Sequence, residues 1–211
     1  MKIPEKIFGV PVKGAIERAL KEAEAKQNSP NITTNLTLDN YQILKNPILN
    51  LDWYKTHEEL KKQNLKMLTP MEFNNLLNLA YQKDKLLYNE ITELKSPYIY
   101  EWLDAYFEQR PDGLYILTNN KSNSELLEPC LMEKQTPGIS LEDWMKNPTK
   151  QGLPKPDIKN GNLYYWNPID GRVAGFYADS DWTSLNCNGY PSNSYGSLGV
   201  RKFFPQEIKV K

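Results

Sequence analysis

A single histidine, two cysteines and no surplus of either charge set the first limits on this 211-residue chain. One imidazole cannot support zinc chemistry built on several, and it argues against Ser-His-Asp and Cys-His hydrolysis. That imidazole, His57, sits in the polar helical stretch Tyr54-Lys-Thr-His-Glu-Glu-Leu-Lys-Lys62. No partner at triad or metal spacing stands near it, so it reads as a solvated surface histidine. Cys130 and Cys187 alone make neither a disulfide framework nor a four-ligand zinc site. The 26 basic and 26 acidic side chains cancel, with a pI near 6.6. A chain so balanced has no bulk charge with which to grip nucleic acid or an anionic membrane. Mean hydropathy is −0.66, and no apolar run approaches the roughly 20 residues of a membrane helix, so no membrane insertion is expected. The opening Met-Lys-Ile-Pro-Glu-Lys-Ile-Phe-Gly-Val is broken by charge and proline and does not read as a signal peptide.

What the chain has is length for one sizeable domain and a shift in composition along it. Residues 2–95 are rich in Lys, Glu, Asn and Leu, a helical composition with polar loops. From Gly161 to Val200 the one basic residue is Arg172, and the window holds six of the eleven glycines and eight aromatic rings. Rings, glycines, Ser and Asn in short alternation predict twisted antiparallel strands and turns. We therefore expect residues 1–60 to be a helical extension with a polar loop. Residues 61–211 are expected to form an α+β domain with an ordered insertion at about 134–161.

Four helices are predicted. Val12 to Lys26 carries an alanine-rich stripe of Ala15, Ala19, Leu20 and Ala23. Thr69-Pro70-Met71-Glu72 is the strongest start signal, since Thr69 can cap, Pro70 suits the first position and Glu72 can close a capping box. Phe73, Leu76, Leu77 and Ala80 would be its buried face. A third helix is expected from Ser96-Pro97, burying Trp102, Leu103, Tyr106 and Phe107 and stopping near Arg110-Pro111-Asp112-Gly113. A short one is expected from Ser140 through Trp144. Strands are expected at Leu114–Thr118, Asn162–Trp166, Arg172–Tyr177, Thr183–Cys187 and Leu198–Phe204. The glycines inside two of them, Gly175 and Gly199, mark bulges or close backbone approach. Residues 28–50 read as a polar surface excursion.

The segment from Asp179 to Tyr195 alternates short polar groups with large rings and contains no Lys, Arg or Glu. In a strand, Trp182, Ser184, Asn186 and Asn188 fall on one face, and Thr183, Leu185 and Cys187 on the other. The second set suits a core and the first a ligand. Tyr, Trp, Ser, Gly and Asn are the vocabulary of evolved binding surfaces, in which rigid rings give area at low entropic cost. The expected ligand surface is Tyr177, Asp179, Asp181, Trp182, Ser184, Asn186, Asn188, Tyr190, Asn193 and Tyr195. Trp182, Tyr190 and Tyr195 would act as anchors.

These residues resemble the end of a C-type lectin-like domain. Arg172-Val-Ala-Gly-Phe-Tyr-Ala-Asp179, the Cys187-containing strand, Pro191 to Ser197 and the closing Leu198-Gly-Val-Arg201 carry the resemblance. They are most similar to the branch of formylglycine-generating enzymes and the variable proteins of diversity-generating retroelements. Met67-Leu68-Thr69-Pro70-Met71-Glu72-Phe73 resembles that branch's Leu-Pro-Thr-x-x-Glu-Trp helix start, with Phe73 at the Trp position. The resemblance implies a C-type lectin-like fold whose C-terminal surface residues are diversified by mutation at adenines. The departures matter as well. Formylglycine-generating enzymes hold copper with a cysteine pair, and here only Cys187 stands in the matching region. The calcium motifs of sugar-binding lectins are missing, since Trp166-Asn167-Pro168 lacks the acid. We expect no catalytic residue, metal or cofactor.

The sequence therefore reads as a non-catalytic binding protein whose partner is a protein ligand or cell-surface receptor, displayed on a virion or cell surface. The rival is an oxidase-type or other enzyme on the same fold using Cys187. A third reading is a structural protein whose aromatic face mates with a copy of itself as a homo-oligomer.

Overall fold

A computed structural model describes residues 6–7, 10–11, 37–38, 41–93, 100–178, 182–194 and 198–205. The predicted helix Val12 to Lys26 lies outside them. The chain divides into two compact units, Met1–Ile32 and Thr33–Lys211. In the first, β1 (Lys6–Ile7) and β2 (Val10–Pro11) form a short antiparallel pair. The second holds the large sheet.

Its organising element is β5, Tyr100–Arg110, where the sequence pointed to a helix. Trp102, Leu103, Tyr106 and Phe107 have helical spacing, yet residues 100–105 are all buried, as expected of a strand covered on both faces. Around it stand β3 (Thr37–Leu38), β4 (Tyr41–Leu49), β6 (Gly113–Thr118) and β7 (Asn123–Leu126). The remaining strands are β8 (Gln135–Ile139), β9 (Leu163–Trp166), β10 (Val173–Ala178), β11 (Thr183–Gly189) and β12 (Leu198–Pro205). The order is β3-β4-β12-β5-β10-β11-β9-β8, with β6 on β5 and β7 on β6. The sheet is mixed rather than antiparallel, because β12 runs parallel to β5 and β9 parallel to β11. All five strands predicted between Leu114 and Phe204 are present. β4 was not foreseen: Tyr41–Leu49, read as part of a polar excursion, pairs along β12.

Two glycines do what their positions required. The register slips between Val173 and Gly175, and a Cβ on Gly175 would overlap the Tyr100 ring. A Cβ on Gly199 would collide with the Ile48 carbonyl of β4.

Four helices are described, α1 (Trp53–Lys62), α2 (Pro70–Lys83), α3 (Lys85–Thr92) and α4 (Leu141–Lys146). The capping box at α2 is complete, with Thr69 Oγ1 accepting from Glu72 N and Glu72 accepting from Thr69 N. Ser140 caps α4. On one face of the sheet, α2, α3 and α4 bury Phe73, Leu76, Leu77, Ile91 and Trp144 against Leu103, Phe107, Phe176, Leu185 and Tyr165. On the other, α1 brings Trp53 and Leu60 onto Tyr100, Trp102, Val173 and Val200. Each fully buried large apolar side chain removes about 1.5–3 kcal/mol worth of surface from water. The three buried indoles keep a carbonyl partner: Trp53 to Leu103, Trp102 to Leu51, Trp144 to Gly152. Within the stretch 134–161, Ile139, Trp144 and Leu153 belong to this core.

Where β12 meets β5, Glu101 is 2% exposed. Its carboxylate accepts from the Arg201 guanidinium and, at 3.1 Å, from Arg201 N. Glu90 of α3 lies 3.3 Å from the same guanidinium. Burial pushes the Glu101 carboxyl up, and the Arg201 charge and hydrogen bonds pull it the other way. Removing one member of such a pair strands the other charge in the interior. Glu101→Gln should cost about 3 kcal/mol, a fall in melting temperature of about 6–12 °C. Glu101→Leu combined with Arg201→Met should recover most of it in thermal unfolding. An unchanged melting temperature in Glu101→Gln would show that the pair carries no weight.

Candidate ligand-binding face

The face that α1 covers over β5, β10 and β12 continues across β11 and β9 as a half-exposed row. Period-two alternation places Leu163 and Tyr165 of β9 in the core and turns Tyr164 and Trp166 the other way. In β11, Leu185 and Cys187 enter the core while Asn186 and Asn188 stay half-buried. The parallel register sets Ser184 beside Tyr164 and Asn186 beside Trp166. The rings form a train. Trp182 and Tyr164 have centroids 5.3 Å apart, and Tyr164 and Trp166 are stacked at 6.1 Å and 23°. The Lys134 ammonium lies 5.1 Å from the Trp166 ring centre.

The expected site residues fall in several places. Tyr177 is half-buried and stacked on Tyr100 at 5.0 Å and 20°. Trp182 is half-buried, and its Nε1 is shielded from water with no hydrogen-bond partner among the described residues. Asn186 Oδ1 accepts from the Asn188 backbone N–H at 2.7 Å, which fixes the Asn186 side chain. Tyr190 is 55% exposed, with the Arg172 guanidinium 3.3 Å above its ring. Asn193 is exposed and closes a turn onto Tyr190 O. Ser184 is a correction. It points to the expected face but is 0% exposed, because β10 and β9 flank it with Tyr177 and Tyr164 in register. Its hydroxyl is spent on Tyr164 O, so it cannot meet a ligand. Asp179, Asp181 and Tyr195 lie outside the described residues. Tyr164 and Trp166 were missed as site residues, although the alternation Leu-Tyr-Tyr-Trp already carried them outward.

At the α1 end of the same face, His57 departs from expectation. It is 9% exposed, with Nε2 3.3 Å from Asp104 Oδ1 and the ring 4.2 Å from Trp53 in an edge contact. Nε2 is close to the carboxylate without the alignment of a hydrogen bond. The Asp104 oxygens instead accept from Asn119 N at 2.7 Å and Asn120 N at 3.3 Å. They thereby hold the β6–β7 hairpin tip, where Asn119, Asn120 and Lys121 all have left-handed φ of 51°, 52° and 67°. The partner that buries His57 is remote in sequence, so spacing could not reveal it.

Cys187, the residue on which an enzymatic reading rests, is 0% exposed in the main core. Burial pushes its thiol well above the ordinary cysteine range and raises Cys130 to about 11. Among the described residues no group of three or more His, Cys, Asp or Glu side chains could hold a metal ion. No described helix is long and apolar enough to cross a membrane. Two cavities of about 350 and 340 Å³ lie elsewhere, one between Ser140, Asn162 and Thr183, the other between Asp143, Lys155 and Lys159.

No protein-family model, curated protein or solved structure matches the chain.

A thiol needs its thiolate to react. With both pKa values raised, a disulfide reagent at mildly alkaline pH should leave Cys130 and Cys187 unmodified in the folded chain and modify both after denaturation. Rapid reaction of Cys187 in the native protein would contradict its burial.

Proposed function

We propose that this is a C-type lectin-like domain, of the variable-protein type found with diversity-generating retroelements, that binds a protein ligand without catalysis. The observation that carries the binding reading is the train Trp182–Tyr164–Trp166 with Asn186 and Asn188 beside it. These are large rings and short amides left half-exposed beside strands whose other face is packed into the core. Contiguous exposed rings are uncommon without a partner, and a broad array fits a protein surface better than a small molecule, which prefers a closed pocket. The fold reading is supported by the order of its signatures. The capped α2, the glycine-bearing β10, the Cys187 strand β11 and the closing Gly-Val-Arg of β12 occur in the sequence expected, with all three strands in one sheet. Diversification fits a scaffold in which Leu185 and Cys187 are internal while Asn186 and Asn188, alternating with them, stay half-exposed. The rival oxidase reading draws no support from a thiol with no exposed surface. Display on a virion or cell surface follows from a receptor-binding role.

Binding of the purified chain to an array of cell-surface proteins tests the reading. At least one target should be held by the native chain and lost, by about 30-fold in affinity for each anchor, in Trp182→Ala and Tyr190→Ala. The melting temperature should fall by less than about 5 °C. Targets bound equally by both variants would place recognition elsewhere. The coding DNA gives a separate check. A near-identical repeat of its 3′ segment differing at adenines, beside a reverse transcriptase gene, is expected, and its absence removes the diversification part.

A further inference from the structure

At the α1 end of the face, two cations stand on tyrosines without a carboxylate of their own. Lys121 Nζ is 3.3 Å from the Tyr106 ring centre, 5.0 Å from that of Tyr54, and 3.5 Å from the Tyr54 hydroxyl. The Arg172 guanidinium lies 3.3 Å over Tyr190. Neither has a carboxylate within ion-pair distance among the described residues, a condition that Lys85, over Tyr81 and Tyr88, shares. The acids close by are already engaged. Asp104 is buried and holds the Asn119 and Asn120 amides, Asp170 accepts from Gln109 N at 2.8 Å, and Asp52 and Glu58 act on Lys55.

The two cations share one surface. Trp53 N donates to Pro191 O at 3.0 Å, which ties the start of α1, with Tyr54, to the loop that carries Tyr190. Tyr106, beneath Lys121, has its hydroxyl beside Gly171, the neighbour of Arg172. Each cation is held by the ring it covers, and Lys121 also donates to the Tyr54 hydroxyl. A guanidinium lying over a ring keeps N–H donors for a carboxylate. Tyr54 and Tyr190 are 39% and 55% exposed, rigid apolar area between the charges.

We propose, resting on the binding reading above, that this patch docks an acidic segment of the protein partner. Its carboxylates pair with Lys121 and Arg172 while its apolar side chains lie on Tyr54 and Tyr190. Two fixed cations in a chain of zero net charge suit a short carboxylate-bearing segment. A polyphosphate or sulfated polysaccharide calls for a longer basic stripe.

The test uses the full chain and a fluorescent random copolymer of glutamate and tyrosine, read by anisotropy at low and high salt. Binding is expected at low salt, weakened by added salt and by about 10-fold in each of Lys121→Glu and Arg172→Glu. The neutral variants Lys121→Gln and Arg172→Gln, checked for an unchanged melting temperature, should show smaller losses in the same direction. Lys83→Glu, on the opposite side of the sheet, should change nothing. Equal loss in Lys83→Glu, or heparin binding as tightly as the copolymer, would overturn the proposal. So would array targets that depend on Trp182 and Tyr190 but ignore Lys121 and Arg172, and that result would leave the display reading standing. Targets indifferent to all four residues would remove both.

Discussion

Between the closing strand β12 and the central strand β5 the parallel ladder is two residues long, Leu198 with Tyr100 and Gly199 with Glu101. Such a short parallel contact holds little by itself. The next residue pair supplies what the ladder does not. Arg201 meets the Glu101 carboxylate with both its guanidinium and its backbone N–H, and Glu90 reaches the same group from α3. Taking a carboxylate and a guanidinium out of water costs several kcal/mol per ion before their attraction is counted. The pair therefore contributes position more than net energy, since any other register of β12 leaves two charges buried and unpaired.

That constraint propagates. With β12 fixed, β4 pairs along it, and Val200 is carried into the smaller core beneath α1 with Trp53 and Trp102. The sheet is thus covered on one side by α2, α3 and α4 and on the other only as far as α1 extends. The half-exposed rings of β9 and of Trp182, just before β11, lie beyond that cover, beside strand residues that are among the most buried in the molecule. A surface built this way can change its outward residues at small energetic cost, because Leu185, Cys187, Leu163 and Tyr165 on the same strands hold the backbone from behind. The tyrosine-mounted cations at the α1 end belong to the same arrangement. Tyr106, under Lys121, packs on the smaller core, and Tyr54 and Tyr190 stand exposed beside it.

Local signals were legible in the sequence and long-range ones were not. Thr69, Pro70 and Glu72 lie within one turn, so their capping box could be written down from spacing alone, and the glycine-bearing strands near the C-terminus announced themselves in the same way. β5 failed because a strand buried on both faces has no alternation to read, and its apolar residues at 102, 103, 106 and 107 imitate a helical stripe. Glu101 and Asp104, polar inside that run, looked like a helix's solvent side until Arg201 and the 119–120 amides were seen to satisfy them. His57 failed for the same reason, its neighbour Asp104 being on another element. In the candidate site the two-residue period sorted Asn186 and Asn188 from Leu185 and Cys187 correctly. It could not show that Ser184 lies between two tyrosines of neighbouring strands, nor that Tyr164 and Trp166 join the row.

Hydroxyl-radical footprinting of the free protein, read residue by residue by mass spectrometry, tests most directly whether a rigid scaffold presents these rings to water. Oxidation is predicted at Tyr190, Trp166, Tyr164 and Trp182, with Trp53, Trp102, Trp144 and Tyr165 spared in the same sample. If Trp166 and Trp182 are protected as fully as the core indoles, or the core indoles react as readily as Tyr190, the account is contradicted.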